Sequence, residues 1–273
     1  MSVLLVIPAR HASTRYPGKP LARLTGPDGV TRTLLELTWA AAQAVPGVAR
    51  AVVATDDERI AAEARRIGAE AVMTSPDCRN GTERVAEAVE RLGGGYELVV
   101  NLQGDAPLTP PWFVTAVIEA LAADPQAEMA TPVLRCDGRA LRHMLEDRAA
   151  GRPGATTAVF DAAGRALYFS KEVIPHASHI YADDEVTPVY HHVGLYAFRP
   201  DALEAYRRWP VGRLEALEGL EQLRFLENGA RVLCVGVEAR GRRFWELNNP
   251  EDVARIEAIL AAEAAARPAP AGP

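Results

Sequence analysis

Lysine is nearly absent: only Lys19 and Lys171 stand among the 30 lysine and arginine residues of this 273-residue chain. Arginine's planar fork does not replace a compact ammonium at every phosphate site, so both survivors are candidates for function. Cysteine is equally sparse. Cys78, Cys136 and Cys234 lie far apart with no CxxC pair, which excludes a disulfide framework and offers no zinc-ligand spacing. The pair His176 and His179 sits in a Pro- and Asp-rich stretch without further ligands and reads as polar loop. No apolar run approaches the roughly 20 residues of a membrane span. The opening MSVLLVIPAR has no basic residue before its short apolar run, so it reads as a strand and not as a signal peptide. A basic surplus is missing too, with 36 acidic residues against 30 basic ones and a formal net charge of −6. That balance excludes general nucleic-acid and anionic-membrane binding. The expectation is a cytoplasmic protein with free thiols.

What is present is a strand–helix alternation. Residues 3–7 form a continuous apolar run, as in a strand buried on both faces. Helix over 33–44, strand over 51–54, helix to about 67 with a stop at Gly68, and strand over 70–73 follow. Helix over 83–92, strand over 98–102 and a helix from Pro110-Pro111 to about 123 complete the rhythm. The pattern predicts a three-layer, doubly wound, mostly parallel α/β sheet. From about residue 128 the rhythm changes to strand over 129–134, a hairpin of 156–160 and 166–169, loop over 175–188 and strand over 193–198. One helix over 214–227, strand over 231–237 and a final helix over 251–262 end the chain. The economical organisation is one domain over 1–262, with a ligand half at 1–125, a smaller inserted β-containing lobe at 128–240 and a frayed tail at 263–273.

Directly after the first strand comes PARHASTRYPGKP, residues 8–20. In an open α/β sheet ligands lie beyond the carboxyl ends of strands, and this loop occupies that place. Small residues allow backbone N–H groups to approach a polyanion, while Arg10, Arg15 and Lys19 supply three cations suited to a triphosphate. The stretch fits neither GxxxxGK[ST] nor GxGxxG, which counts against a P-loop NTPase and a Rossmann dehydrogenase. Asp105, just past the strand 98–102, is placed to hold Mg²⁺ together with phosphate oxygens, or to cap a helix before Pro107. Asn80-Gly81-Thr82-Glu83-Arg84 reads as a helix start capped by Thr82, a role compatible with base contact. Glu218, Glu221 and Gln222, spaced three and four apart, share one helical face and can point into one cleft.

The stretch PARHASTRYPGKPL resembles the opening motif of the 3-deoxy-manno-octulosonate cytidylyltransferase family, whose fold is that of nucleotide-diphospho-sugar transferases. The similarity continues through Val53–Asp57, Gly81–Arg84, Asn101–Asp105, Ala166–Ser170, His192–Tyr196, Leu220–Arg224 and Asn249–Asp252. The resemblance implies a Mg²⁺-dependent transfer of CMP from CTP to an acidic acceptor, with release of pyrophosphate, by a homodimer. It implies nucleotide contacts from Pro8, Ala9, Arg10, Ser13, Lys19, Thr55, Asp56, Asn80, Gly81, Thr82, Arg84 and Gln103. Arg10, Arg15, Lys19 and Asp105 would carry the catalysis. Acceptor contacts would come from Gln103, Lys171, His191, His192, Glu218, Glu221 and Gln222. Asp105 and Asn248 take the family's metal positions, although relatives carry aspartate where this chain has Asn248. One of the neighbouring carboxylates, Glu246 or Asp252, would then compensate. Ala106 and Thr157 also stand where relatives carry glutamate and lysine. An octulosonate acceptor is therefore one reading. A small phosphonate such as phosphonoformate is a second, and a non-catalytic nucleotide-binding protein a third.

Overall fold

The structure is a computed structural model and describes residues 1–13, 15–151, 154–243 and 245–265. The N-terminal apolar run becomes β1 (Val3–Ala9), every residue of it buried. Val3, Leu5 and Ile7 enter one hydrophobic core and Leu4 and Val6 the other. A strand that alternates between two dry faces has no polar side, hence the unbroken apolar run.

A one-turn helix at Lys19–Leu21 leads into the hairpin β2 (Arg23–Thr25) and β3 (Thr31–Thr33). Then come α1 (Leu34–Gln43), β4 (Arg50–Thr55), α2 (Glu58–Arg66), β5 (Glu70–Met73), α3 (Gly81–Arg91), β6 (Leu98–Leu102) and α4 (Pro111–Ala123). Thr33 and Asp57 cap α1 and α2 with side-chain oxygens that accept from Glu36 and Arg59 backbone N–H groups. Strands β5, β4, β1 and β6 lie side by side, all parallel. The chain leaves β1 toward β4 and later returns to β6 on the opposite flank. Strand order therefore reverses between β1 and β6, the position at which such sheets form a ligand crevice.

The second half supplies β7 (Met129–Asp137), α5 (Gly138–Ala149), β8 (Thr156–Phe160), β9 (Ala166–Ser170), β10 (Val186–His192) and β11 (Leu195–Phe198). It ends with α6 (Pro200–Arg208), α7 (Arg213–Glu218), α8 (Leu223–Glu227), β12 (Val232–Gly236) and α9 (Asp252–Ala265). Its strands continue the same sheet. β11 runs antiparallel to β6, and β7, β10, β8 and β9 follow outward, with β12 parallel to β7. Residues of α1, α2 and α4 fill the core on one face, and those of α3, α6 and α8 the core on the other. The layered α/β class expected from the sequence is the one observed.

Several local expectations change. The helix expected over 214–227 is two helices, because Gly219 takes φ 63° and ends α7. Glu218 and Glu221 therefore do not share a helical face. The cap of α3 is Asn80, whose Oδ1 accepts from the Glu83 N–H at 2.9 Å, and not Thr82. Helices α5 and α6 are additions. α5 buries little beyond Leu141, too narrow a stripe to stand out in the sequence. The tail expected from residue 263 begins inside α9, and residues 266–273 lie outside those described.

Candidate active site

Pro8 and Ala9 end β1, and Gln103, Gly104 and Asp105 follow β6, so two adjacent strand tips open onto one cleft of about 790 Å³. A Cβ on Gly104 would stand 2.7 Å from the Pro8 carbonyl oxygen, so only glycine lets the tips approach this closely. Arg10, Ser13, Arg15 and Lys19 of the 8–20 loop line the same cleft. Lys19 Nζ donates to Asp105 Oδ2 at 2.6 Å, joining the loop to the tip of β6. A molecule with a net negative charge thus gathers cationic side chains on one wall of this cleft.

The segment 245–248 closes one rim. Leu247 N–H donates to the Asp105 carbonyl oxygen at 2.9 Å, which brings Glu246 and Asn248 beside Asp105. Asn248 Oδ1 accepts from Arg15 Nη2 at 2.9 Å, and the Asn248 side chain also donates to Glu246. Burial pushes the Glu246 carboxyl up to about 7; the Asp105 carboxylate adds to the rise, and Lys19, Asn248 and the Gly194 N–H oppose it. Asp252 is used differently. Its Oδ1 accepts from Trp245 Nε1 at 2.9 Å, and its Oδ2 accepts from the Asn248 and Asn249 N–H groups at 2.9 and 2.7 Å. Both oxygens thus hold the turn that starts α9. Among the described residues no group of three or more His, Cys, Asp or Glu forms a metal cluster.

On the wall formed by the start of α3, Asn80, Gly81 and Arg84 line the cleft. Arg84 is buried, and its guanidinium donates to Thr74 Oγ1 and to Asp56 Oδ2. Gln103 Nε2 donates to Glu221 Oε1 at 3.0 Å, and Glu221 Oε2 accepts from the Thr82 N–H at 3.0 Å. This carboxylate ties β6 and α3 to the turn before α8; burial raises its pKa. Thr55, Asp56 and Thr82, expected to meet a nucleotide, do not line the cleft. The Thr55 hydroxyl accepts from the Asp57 N–H, Asp56 holds Arg84, and Thr82 is buried against Glu221.

The opposite wall carries Lys171, His191, His192, Glu221 and Gln222. Glu218 is absent from it. Its Oε1 accepts from Ser170 Oγ at 2.7 Å and its Oε2 from the Lys171 N–H at 2.9 Å, so it positions the end of β9. The Lys171 ammonium lies over Gly219, 3.0 Å from where a Cβ would be. Thr131 Oγ1 donates to the Leu195 carbonyl at 2.8 Å, so His192 Nε2, 2.9 Å from that hydroxyl, must be the donor to it. The ring is then left with Nδ1 as an acceptor. Burial holds His191 and His192 neutral, lowering them to about 4 and 3. Gln222 is buried; its Oε1 accepts from Tyr196 Oη at 3.3 Å, and its Nε2 has no partner among the described residues. A buried donor without a partner is costly and is expected where a ligand arrives.

Other lining residues were not among the site residues expected from the sequence: Arg79, Thr156, Gly194, Tyr196, Glu215 and Arg224. Arg224 is fully buried, with a bidentate pair to Glu215 at 2.6 Å for both bonds and a third bond to Glu83 at 3.0 Å. The Leu220–Arg224 motif already pointed to this region, but nothing in its spacing revealed a buried ion pair. The departure at Thr157 falls outside the cleft. Its hydroxyl donates to the Glu172 carbonyl at 2.6 Å and accepts from the Ile174 N–H, pinning β8 to the following loop.

Comparison with known proteins agrees with this geometry. Residues 4–233 match the family model described as cytidylyltransferase. The chain is 49% identical to the 3-deoxy-manno-octulosonate cytidylyltransferase of Maricaulis maris, over 96% of this chain and 98% of that relative. It is 39% identical to the protein of the same name from Chlamydia pneumoniae, over 93% and 92% of the two chains. Among solved structures, that of CMP:2-keto-3-deoxy-manno-octonic acid synthetase complexed with CTP superposes with a TM-score of 0.80 at 30% identity, covering 96% of this chain and all of the other.

Proposed function

The chain belongs to the cytidylyltransferase family, and from that premise we propose that it transfers CMP from CTP to 3-deoxy-manno-octulosonate and releases pyrophosphate. The observation that carries this reading is the one cleft at the strand-order reversal, with a cationic loop on one wall and Lys171 with the hydrogen-bonding side chains of His191, His192 and Gln222 on the other. The acceptor's hydroxyl gives up its proton to water, and the resulting oxyanion bonds to the α-phosphorus as the bond from that phosphorus to the pyrophosphate oxygen breaks. No protein nucleophile is needed; positioning and charge neutralisation carry the step. Arg10, Arg15 and Lys19 hold the β- and γ-phosphates, while Asn80, Gly81, Gln103 and the tip of β1 hold the nucleoside end. Lys171 suits the acceptor's carboxylate. His192 Nδ1 and Gln222 Nε2 offer an acceptor and a donor to its hydroxyl groups.

Mg²⁺ is part of this reading, and the donors fit it: Asp105 is a hard oxygen ligand beside the phosphate loop, and Mg²⁺ sites commonly combine one or two carboxylates with substrate phosphates. Bound there, the ion would neutralise charge on the phosphates. Asn248, the second position expected from the sequence, has its amide oxygen engaged by Arg15. The same reading makes the protein a cytoplasmic homodimer. Three free cysteines and the exposed apolar side chains Leu145, Ile180 and Val186 of the second lobe support it, and a solution mass of twice 29.4 kDa is the check. No helix among the described residues is long and apolar enough to cross a membrane.

A pyrophosphate-release assay with CTP and a panel of acidic acceptors tests the function. Release with 3-deoxy-manno-octulosonate, and little with phosphonates or other sugar acids, is expected. CTP binding without release in the presence of any acceptor would overturn the proposal.

A further inference from the structure

Asp105 and Glu246 face one cleft, and the ammonium group beside them, Lys19, is paired to Asp105 at 2.6 Å. One positive charge cannot satisfy two carboxylates, and a divalent cation is what such a pair would accept. The two other oxygen-bearing side chains on the strap that could serve, Asp252 and Asn248, are committed elsewhere. Asp252 spends both oxygens on Trp245 and on the N–H groups of Asn248 and Asn249. Asn248 gives its amide oxygen to Arg15 and its amide N–H to Glu246. Glu246, by contrast, accepts from the Asn248 side chain and the Gly194 N–H among the described residues, and it is carried on a strap fastened to Asp105 through the Leu247 N–H. Gly194 leaves room for it: a Cβ there would lie 3.1 Å from Glu246 Oε1.

We infer that Glu246 is the second carboxylate of the divalent-cation site, opposite Asp105, and that Asn248 is a positioning residue that orients Glu246 and fastens it to Arg15. The assignment rests on the nucleotide reading above, since phosphate oxygens complete the coordination. It moves the second acidic group of the site two residues along the strap from Asn248. A carboxylate at position 248 would lose the donor that Glu246 now accepts and would set a further negative charge against it.

Calorimetric titration of CTP with and without Mn²⁺ tests the assignment through binding and not turnover. In the wild type Mn²⁺ should raise CTP affinity. In Glu246→Gln, whose amide carbonyl can still accept from Asn248, that gain should shrink at least tenfold, about the effect of removing one charged ligand. CTP affinity in EDTA is the reference from which each protein's gain is measured, and a wild-type circular dichroism spectrum and melting transition verify that the variant is folded. Should the variant fail to fold, the wild-type protein decides: with CTP, Mn²⁺ should broaden the carboxyl carbon resonance of Glu246 beyond detection. An undiminished Mn²⁺ gain in Glu246→Gln, or a Glu246 resonance unaffected by Mn²⁺, overturns the assignment alone. Failure of the wild type to bind CTP under either condition overturns the nucleotide reading and the assignment with it.

Discussion

Lys19 and Asp105 are each other's partner at 2.6 Å, which makes their removal asymmetric with respect to folding and chemistry. Both side chains are only partly buried, so the pair contributes little to stability, at most about 1 kcal/mol. Its charges matter when phosphates enter the cleft. Lys19→Ala and Asp105→Ala are each expected to lower kcat/KM by roughly 10²-fold or more while leaving the melting temperature nearly unchanged. Activity within tenfold of wild type for either variant would remove that residue from the catalytic set. At this scale the sequence was informative where chemistry and position coincide. A cation-rich loop after a buried strand, and an acid after the strand that lies next to it, can be read from order alone. Glu221 and Gln222 could also be named, yet their partners Gln103, Thr82 and Tyr196 lie 26 to 139 residues away and depend on packing. Thr55 and Asp56 illustrate the converse. They sit at a strand tip, as a ligand contact should, but they turn toward Asp57 and Arg84.

Among the elements, the junction of α3, α6, α7 and α8 bears on stability. Arg224 of α8 reaches Glu83 of α3 and Glu215 of α7 with no exposure, and its guanidinium stacks over the Tyr206 ring of α6 at 4.0 Å. Arg224→Met would leave Glu215 buried and uncompensated. Breaking a buried pair from one side costs about 3–5 kcal/mol, a fall in melting temperature on the order of 10 °C for a chain of this size. Scanning calorimetry checks it; a shift of only a degree or two would mean that water reaches Glu215 in the variant. The break between α7 and α8 was hidden for a related reason. Leu214–Glu227 keeps helical spacing throughout, and the single Gly219 is no stronger a stop signal than glycines that helices tolerate. Tertiary demand decides it, since Glu218 must turn toward Ser170 while Glu221 turns toward Gln103. Elements with a continuous apolar run or a distinct cap were legible; β10, interrupted by Pro188 and ending in two histidines, and α5, with its narrow apolar stripe, were not.

For the molecule as a whole, acid stability is set in part by His191 and His192. Their folded pKa values, about 4 and 3, lie below the ordinary histidine value near 6.5. As pH falls through 6.5 the unfolded chain takes up protons that the folded chain refuses, so stability declines between about pH 6.5 and pH 4. Denaturation midpoints measured from pH 7.5 to 5 should fall with decreasing pH, and His192→Gln should make the slope shallower. An unchanged slope would mean that His192 is already protonated in the fold. The pairing of β6 with β1 on one edge and β11 on the other has its own consequence. The two halves of the sheet are stitched along one seam, and the Gln103–Asp105 tip emerges from it. Grafting the later half of a relative with another acceptor preference onto this chain would succeed only if the β6–β11 register travelled intact. Divergence of acceptor choice in such a scaffold is therefore channelled into side chains on the far wall, while the backbone of the seam is held still.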